Sequence, residues 1–238
     1  MIKKEDIEFV NNNLDLAFKH KEPTKKLVNK SDKIDEKNKK IANFALDHEK
    51  LTRDVVNFGL EYGEDLSNNI QEFSSKEKNM TNCAEFAEQN KEPIQKSVDI
   101  TFENKDAIKD AMEHCDDQNL KKVSEFALEH EKFTKDVVNL TLEEGKYSAT
   151  TIDDFSKKDK NVMDYVGFVA DMKRPIQKSV DTIFENKYTM KEIVDRKVED
   201  KTLKSVVNFA LENEKLTKGV INFGLNTTEF VDDNCSIF

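Results

Sequence analysis

Tryptophan is absent from this 238-residue chain, and there are only six glycines and three prolines. Sheets joined by tight turns consume both of those residues, so their scarcity favours long helices over strands. It also leaves no backbone cradle for a phosphate: no glycine-rich nucleotide loop, nucleophile elbow or calcium loop occurs. The three cysteines, Cys83, Cys115 and Cys235, are odd in number and widely spaced, which fits a reducing compartment rather than a disulfide framework. Nowhere is there a run of roughly 18 to 20 apolar residues to span a bilayer. Behind Lys3 and Lys4 no apolar stretch follows to make a secretory signal. Together these absences predict a cytoplasmic protein.

Positive charge is in deficit as well. Thirty-eight Lys and Arg face 48 Asp and Glu, a formal net charge of -10. A nucleic-acid-binding surface needs a basic patch to engage phosphates, so nucleic acid is excluded as the expected partner. Simple adsorption to anionic lipid is disfavoured for the same reason.

What the chain has in abundance is repetition. The stretch from Phe126 to Asn139 recurs as Phe44 to Asn57 and as Phe209 to Asn222. Over the 17 positions from Ala42, the first copy matches each of the others at 11. Tandem duplication is the direct reading. A second theme alternates with the first: Pro93 to Asp99 and Phe102 to Lys105 return as Pro175 to Asp181 and Phe184 to Lys187, and a faint version surrounds Pro23.

Apolar residues recur at helical spacing in six stretches, broken by polar segments at 31–37, 74–79, 116–119, 156–161 and 196–201. The second stretch is the clearest, with Phe44, Leu51, Val55, Phe58, Tyr62, Leu66, Ile70 and Phe73 on one face. The sixth runs from Leu203 through Phe223 toward Phe230. The spacing predicts an all-α fold of six long antiparallel helices, arranged as three tandem αα-hairpin repeats at 1–75, 76–157 and 158–231, with a flexible tail at 232–238. The hairpins form one elongated unit, either a closed bundle or a short open array. Ser74 with Glu77 and Ser156 with Asp159 have capping-box spacing and predict helix starts. Pro23, Pro93 and Pro175 stand where the other theme has Leu51, Phe133 and Leu216; they either kink continuous helices, which the absence of a preferred cap at Glu22, Glu92 and Arg174 favours, or occupy the first turn of new ones. The phenylalanine stripe, with Leu and Val beside it, is expected to fill the core.

Chemistry-bearing residues are poorly placed for chemistry. His48 and His130 occupy equivalent positions, but the third copy has Asn213 there, and a ligand or general base does not tolerate that exchange. Thr134, four residues after His130, rules out the paired zinc helix. His114 and Cys115 have no paired ligand spacing with Cys83. The many carboxylates read as a solvated face of Glu–Lys pairs. No residue is therefore assigned a catalytic, cofactor-binding or metal-binding role, and no enzyme activity is expected.

One local motif remains. Cys235-Ser236-Ile237-Phe238 has the form of a prenylation box, with a terminal Phe that favours geranylgeranyl. The preceding Val231 to Asn234 is acidic, where a second, basic membrane signal would be expected. Cys235 is thus a candidate lipid-attachment residue, which would place the protein at a membrane in a eukaryotic or host cell. The expected function is a non-enzymatic scaffold or interaction module that binds a protein partner or itself through helix faces. The alternative is association with a lipid surface, through Cys235 or by opening of the amphipathic helices.

Overall fold

The computed structural model describes residues 4–158 and 160–235. Its regular structure is entirely helical, with fourteen α-helices among the described residues: α1 (Lys4–Lys19), α2 (Lys21–Lys30), α3 (Glu36–Asp47), α4 (Glu49–Ser75), α5 (Met80–Gln89), α6 (Lys91–Glu103), α7 (Lys105–Glu113), α8 (Gln118–Glu129), α9 (Glu131–Ser156), α10 (Val162–Asp171), α11 (Lys173–Glu185), α12 (Lys187–Lys197), α13 (Lys201–Glu212) and α14 (Glu214–Cys235). None of them is long and apolar enough to cross a membrane.

Fourteen helices stand where the periodicity predicts six, because each apolar stretch is interrupted by single-residue breaks. These fall at His20, His48, Asn90, Asn104, His130, Met172, Asn186 and Asn213. At His48 the backbone turns to φ -113°, ψ 65°, and at Asn213 to φ -110°, ψ 55°. The break residue keeps both of its own ladder bonds: the His48 N–H donates to Phe44 O, and His48 O accepts from Thr52 N–H. Side chains take over carbonyls at the break. Thr52 Oγ1 donates to Ala45 O at 2.7 Å and Thr217 Oγ1 to Ala210 O at 2.9 Å, reaching back seven residues. Asn90, Asn104, Asn186 and Asn213 each donate their own amide to the carbonyl four residues back, at 2.7–2.9 Å. Short polar side chains that satisfy backbone groups outside a regular ladder are the residues that tolerate such a site.

Of the two places open to the prolines, the structure has the first turn of a new helix. Pro23, Pro93 and Pro175 are each the third residue of a new helix, three residues past a break. There the missing N–H is one that a first turn leaves unbonded anyway. Breaks at His48, His130 and Asn213 occur equally with Leu51, Phe133 and Leu216 at the matching position, so proline accommodates the break rather than causing it.

Two expected helix starts also move. Ser74 lies in the last turn of α4 and donates to Ile70 O, and Ser156 ends α9 and donates to Asp153 O; Asp159 lies outside the described residues. The working caps are Asn79, which accepts from Asn82 N–H, and Asn161, which forms a reciprocal capping box with Asp164. Asp35 and Asp200 cap α3 and α13 in the same manner.

The helices form two compact units, interleaved along the chain. The first comprises Met1–Ser75 with Glu92–Leu128, and the second Lys76–Lys91 with Glu129–Phe238. In the first unit α2 lies against α3 and α1 against α4. In the second, α5 lies along α9, α10 and α11 each contact both α9 and α14, and α12 meets α13. The buried apolar residues are few: Leu46, Leu51 and Leu128 in the first unit; Leu142, Ala149, Phe184, Val194, Leu211 and Leu225 in the second. Leu46, Leu128 and Leu211 are the same position of the theme, the residue after its alanine. The core therefore rests on this leucine, and Phe184 is the one phenylalanine among the buried residues described.

Candidate functional site

The recurring theme builds a polar clamp onto the helix of the alternate theme that comes later in the chain. In the first unit Lys50 Nζ lies 3.1 Å from both Asp54 Oδ2 and Glu103 Oε2, and Asn104 Nδ2 donates to Asp54 Oδ2 at 2.7 Å. His48 Nε2 lies 2.7 Å from Asp110 Oδ2. In the second unit the counterparts, each 82 residues on, repeat the set. Lys132 pairs with Asp136 at 2.6 Å and Glu185 at 3.7 Å; Asn186 donates to Asp136 at 2.8 Å; and His130 Nε2 faces Glu192 at 3.5 Å. Asn104 and Asn186 thus do two tasks at once, filling a backbone carbonyl at their own break and holding a carboxylate on the neighbouring helix. Burial pushes the Asp54 carboxyl up, but the hydrogen bonds from Asn104 and Lys50 outweigh it and leave the group below the ordinary carboxylate range. Asp136 is held low by Asn186 and Lys132 in the same balance.

One turn pair further along, the two copies use different chemistry at matching positions. Tyr62 donates its hydroxyl to Glu92 at 3.1 Å, and its ionisation is pushed up to about 12 by burial and by the carboxylates of Glu92 and Glu61. At the position of Tyr62 the second copy has Glu144, and at that of Glu92 it has Arg174. Glu144 is buried, and its carboxylate is bound by Arg174 Nη2 at 2.8 Å and Lys178 Nζ at 2.6 Å. Burial pushes its pKa up, yet these two cations hold it below the normal range. The contact persists while its donor and acceptor have changed sides. Tyr147 adds a further link by donating to Asp171 O at 2.9 Å, the carbonyl just ahead of the Met172 break.

These groups are engaged in joining helices. A groove of about 940 Å³ in the first unit is lined by residues including Phe44, Asp110, His114 and Cys115, but the Cys115 thiol points to Asp117 O at 3.8 Å. Among the described residues no three His, Cys, Asp or Glu side chains gather as a metal site. His48 and His130, equivalent in sequence, both face a carboxylate, but only His48 hydrogen-bonds it; His130 Nε2 stands 3.5 Å from Glu192 with no hydrogen bond between them. Asn213 donates to Phe209 O.

The apolar stripe beside the clamp is treated differently in the three copies. Leu51 is 8% exposed and shares a groove with Phe102, Glu103 and Asn104. Phe133 and Leu140 are half-buried, and Leu140 lies with Lys178 and Thr182. In the third copy the corresponding Leu216 and Phe223 are 56% and 75% exposed, with Val220 at 64% and Phe209 at 59%. The expectation that this stripe fills the core fails in that copy: α10 and α11 pack on α14 but leave these residues uncovered, and Val55 and Val137 are exposed in the other two copies. Cys235 is the last residue of α14, which extends four residues into the expected tail; Ser236 to Phe238 and the Phe230 side chain lie outside the description. Sequence reasoning missed the clamp asparagines, although Asn104 and Asn186 were in view as the same letter of a repeated Phe-Glu-Asn-Lys string. No family model, curated protein or solved structure matches this chain.

Proposed function

We propose that this all-helical chain is a repeat protein of three tandem αα-hairpins, and that it acts as a non-enzymatic interaction or scaffold module. Its six long stretches are read as six helices, each bent at its breaks. A protein partner, or another copy of the chain, binds through a helix face. The observation that carries this reading is the pair Leu216 and Phe223, exposed in the third copy while their counterparts Leu51, Phe58, Phe133 and Leu140 are buried or half-buried; Val220 lies between them and is exposed like Val55 and Val137. An exposed ridge bounded by polar residues is the usual mark of an interaction surface. A photo-reactive phenylalanine analogue at position 223 should cross-link to protein in cells. Cross-linking to lipid alone, or to nothing, sinks the reading.

A second reading is favoured by one observation: the helix that carries this ridge ends at Cys235. A prenyl group there would set an apolar helix face against a lipid surface, at a membrane of a eukaryotic or host cell. Under that reading Cys235→Ser moves the protein from the membrane fraction to the soluble one, and identical fractionation of both forms rules it out.

A further inference from the structure

We infer that the groove between α3 and α7 of the first unit takes a basic segment of a partner protein, one that carries an apolar side chain among Lys or Arg residues. This rests on the interaction reading above and names the partner's chemistry, at a face other than the α13–α14 ridge.

The groove holds about 940 Å³, near the upper end of the roughly 300–1,000 Å³ of ligand-sized clefts. Its apolar floor comes from both helices: Ile41 is 56% exposed, and Phe44 and Ala111 are half-buried. Around that floor stand four carboxylates, Asp47, Asp110, Glu113 and Asp116, against the one ammonium of Lys40. Two of the four are already answered. Asp47 binds Lys21 at 2.8 Å and Lys25 at 2.6 Å, and Asp110 lies 2.7 Å from His48. Glu113 and Asp116 are exposed and have no ion-pair partner among the described residues. Clustered carboxylates repel one another, and a cationic partner relieves that repulsion while its apolar side chain covers the floor.

The repeat shows that this rim is particular to one copy. α6–α7 and α11–α12 share the string Pro-Ile-Gln-Lys-Ser-Val-Asp, at Pro93 to Asp99 and Pro175 to Asp181. Farther along, the first has Glu113-His114-Cys115-Asp116 where the second has Asp195-Arg196-Lys197-Val198. The first string is acidic, while in the second two cations outnumber one acid. Those later charges are also engaged within their own unit. Asp195 accepts from Asn208 at 3.3 Å and lies 3.7 Å from Lys204, and Arg196 pairs with Glu192 at 2.9 Å. Helices of one origin have thus diverged in charge, and the acidic version is the one that borders the groove.

Fluorescence anisotropy of the full chain with a labelled amphipathic peptide, Leu on one face and Lys on the other, tests this. The peptide should bind saturably at low salt and weaken as salt is added. Its analogue with Glu for every Lys should not bind, and the analogue with Ser for every Leu should bind more weakly. Glu113→Gln/Asp116→Asn should weaken binding about three- to tenfold, as expected for two rim ion pairs, and Ile41→Ser should weaken it as well. All three side chains are exposed, so helical circular dichroism should be unchanged. Asp65→Asn/Glu199→Gln removes the same charge from exposed carboxylates that do not line the groove, and should leave the affinity nearly as it was. Equal losses in the two double variants would reduce the binding to attraction by the net charge of -10 and overturn the inference. Undiminished binding of the Ser analogue, or none of the Leu–Lys peptide, overturns it too. If that peptide does not bind while the probe at position 223 captures a protein, the groove assignment falls and the interaction reading stands. When both fail, both readings fall.

Discussion

Asn104 carries more than its size implies. It is 6% exposed and donates to two acceptors, Ile100 O in its own helix and Asp54 on the neighbour. Removing the amide leaves a buried carbonyl and weakens the hold on a carboxylate, and leaving such groups unsatisfied costs about 1–3 kcal/mol. Asn213 makes only the intrahelical bond, to Phe209 O, and is partly exposed. Asn104→Ala should therefore lower the urea midpoint clearly, and Asn213→Ala by less than half as much. Equal losses would mean that the bond to Asp54 contributes nothing. Glu144 is the same lesson in charged form, a buried carboxylate tolerated because two cations meet it. Its counterpart Tyr62 shows that the position demands a partner across the contact rather than one particular side chain.

At the scale of the helix, the breaks are the main thing that periodicity does not reveal. Apolar spacing locates the six stretches and the five polar gaps between them, because burial of one face sets both. A one-residue break leaves that spacing almost intact, so Phe44, Leu51 and Val55 read as one continuous face through His48. The usable signal is local: Ala45 with Thr52 and Ala210 with Thr217, seven apart, around a His or Asn. Proline draws attention to the right neighbourhood for the wrong reason. If Pro93 only occupies a first turn, Pro93→Leu should leave helix content unchanged and shift stability by under about 1 kcal/mol. A proline inside a continuous helix costs about 3 kcal/mol. A gain of that size, with added helical signal, would show that the proline imposes the break. The candidate interaction ridge was legible as apolar residues but not as exposed ones, since Leu216 and Leu51 are the same letter of the theme and differ only in what lies over them.

For the molecule as a whole, the two units do not follow the order of the chain. α5 belongs with α9 to α14, while the segment from Glu92 to Leu128 belongs with α1 to α4. Cutting at the obvious midpoint therefore separates α5 from the helix it lies along. A fragment of residues 129–238 should be less helical per residue and melt less cooperatively than one of residues 76–238, as read by circular dichroism. Indistinguishable melts would mean that α5 adds nothing to the second unit. The buried apolar set is small in both units, so each such contact is a large share of a marginal total.

The clamps repeating every 82 residues have a consequence for ancestry. His48, Lys50 and Asp54 find Asp110, Glu103 and Asn104, and the chemistry waiting at Glu192, Glu185 and Asn186 is the same. Loss of residues 76–157 by unequal recombination would bring the first set to the last with every donor and acceptor matched. Gene length in this lineage can thus drift in whole steps of 82 codons, and relatives shorter or longer by one such step are the expected kin. Homologues that differ by other lengths within the repeats would argue against it.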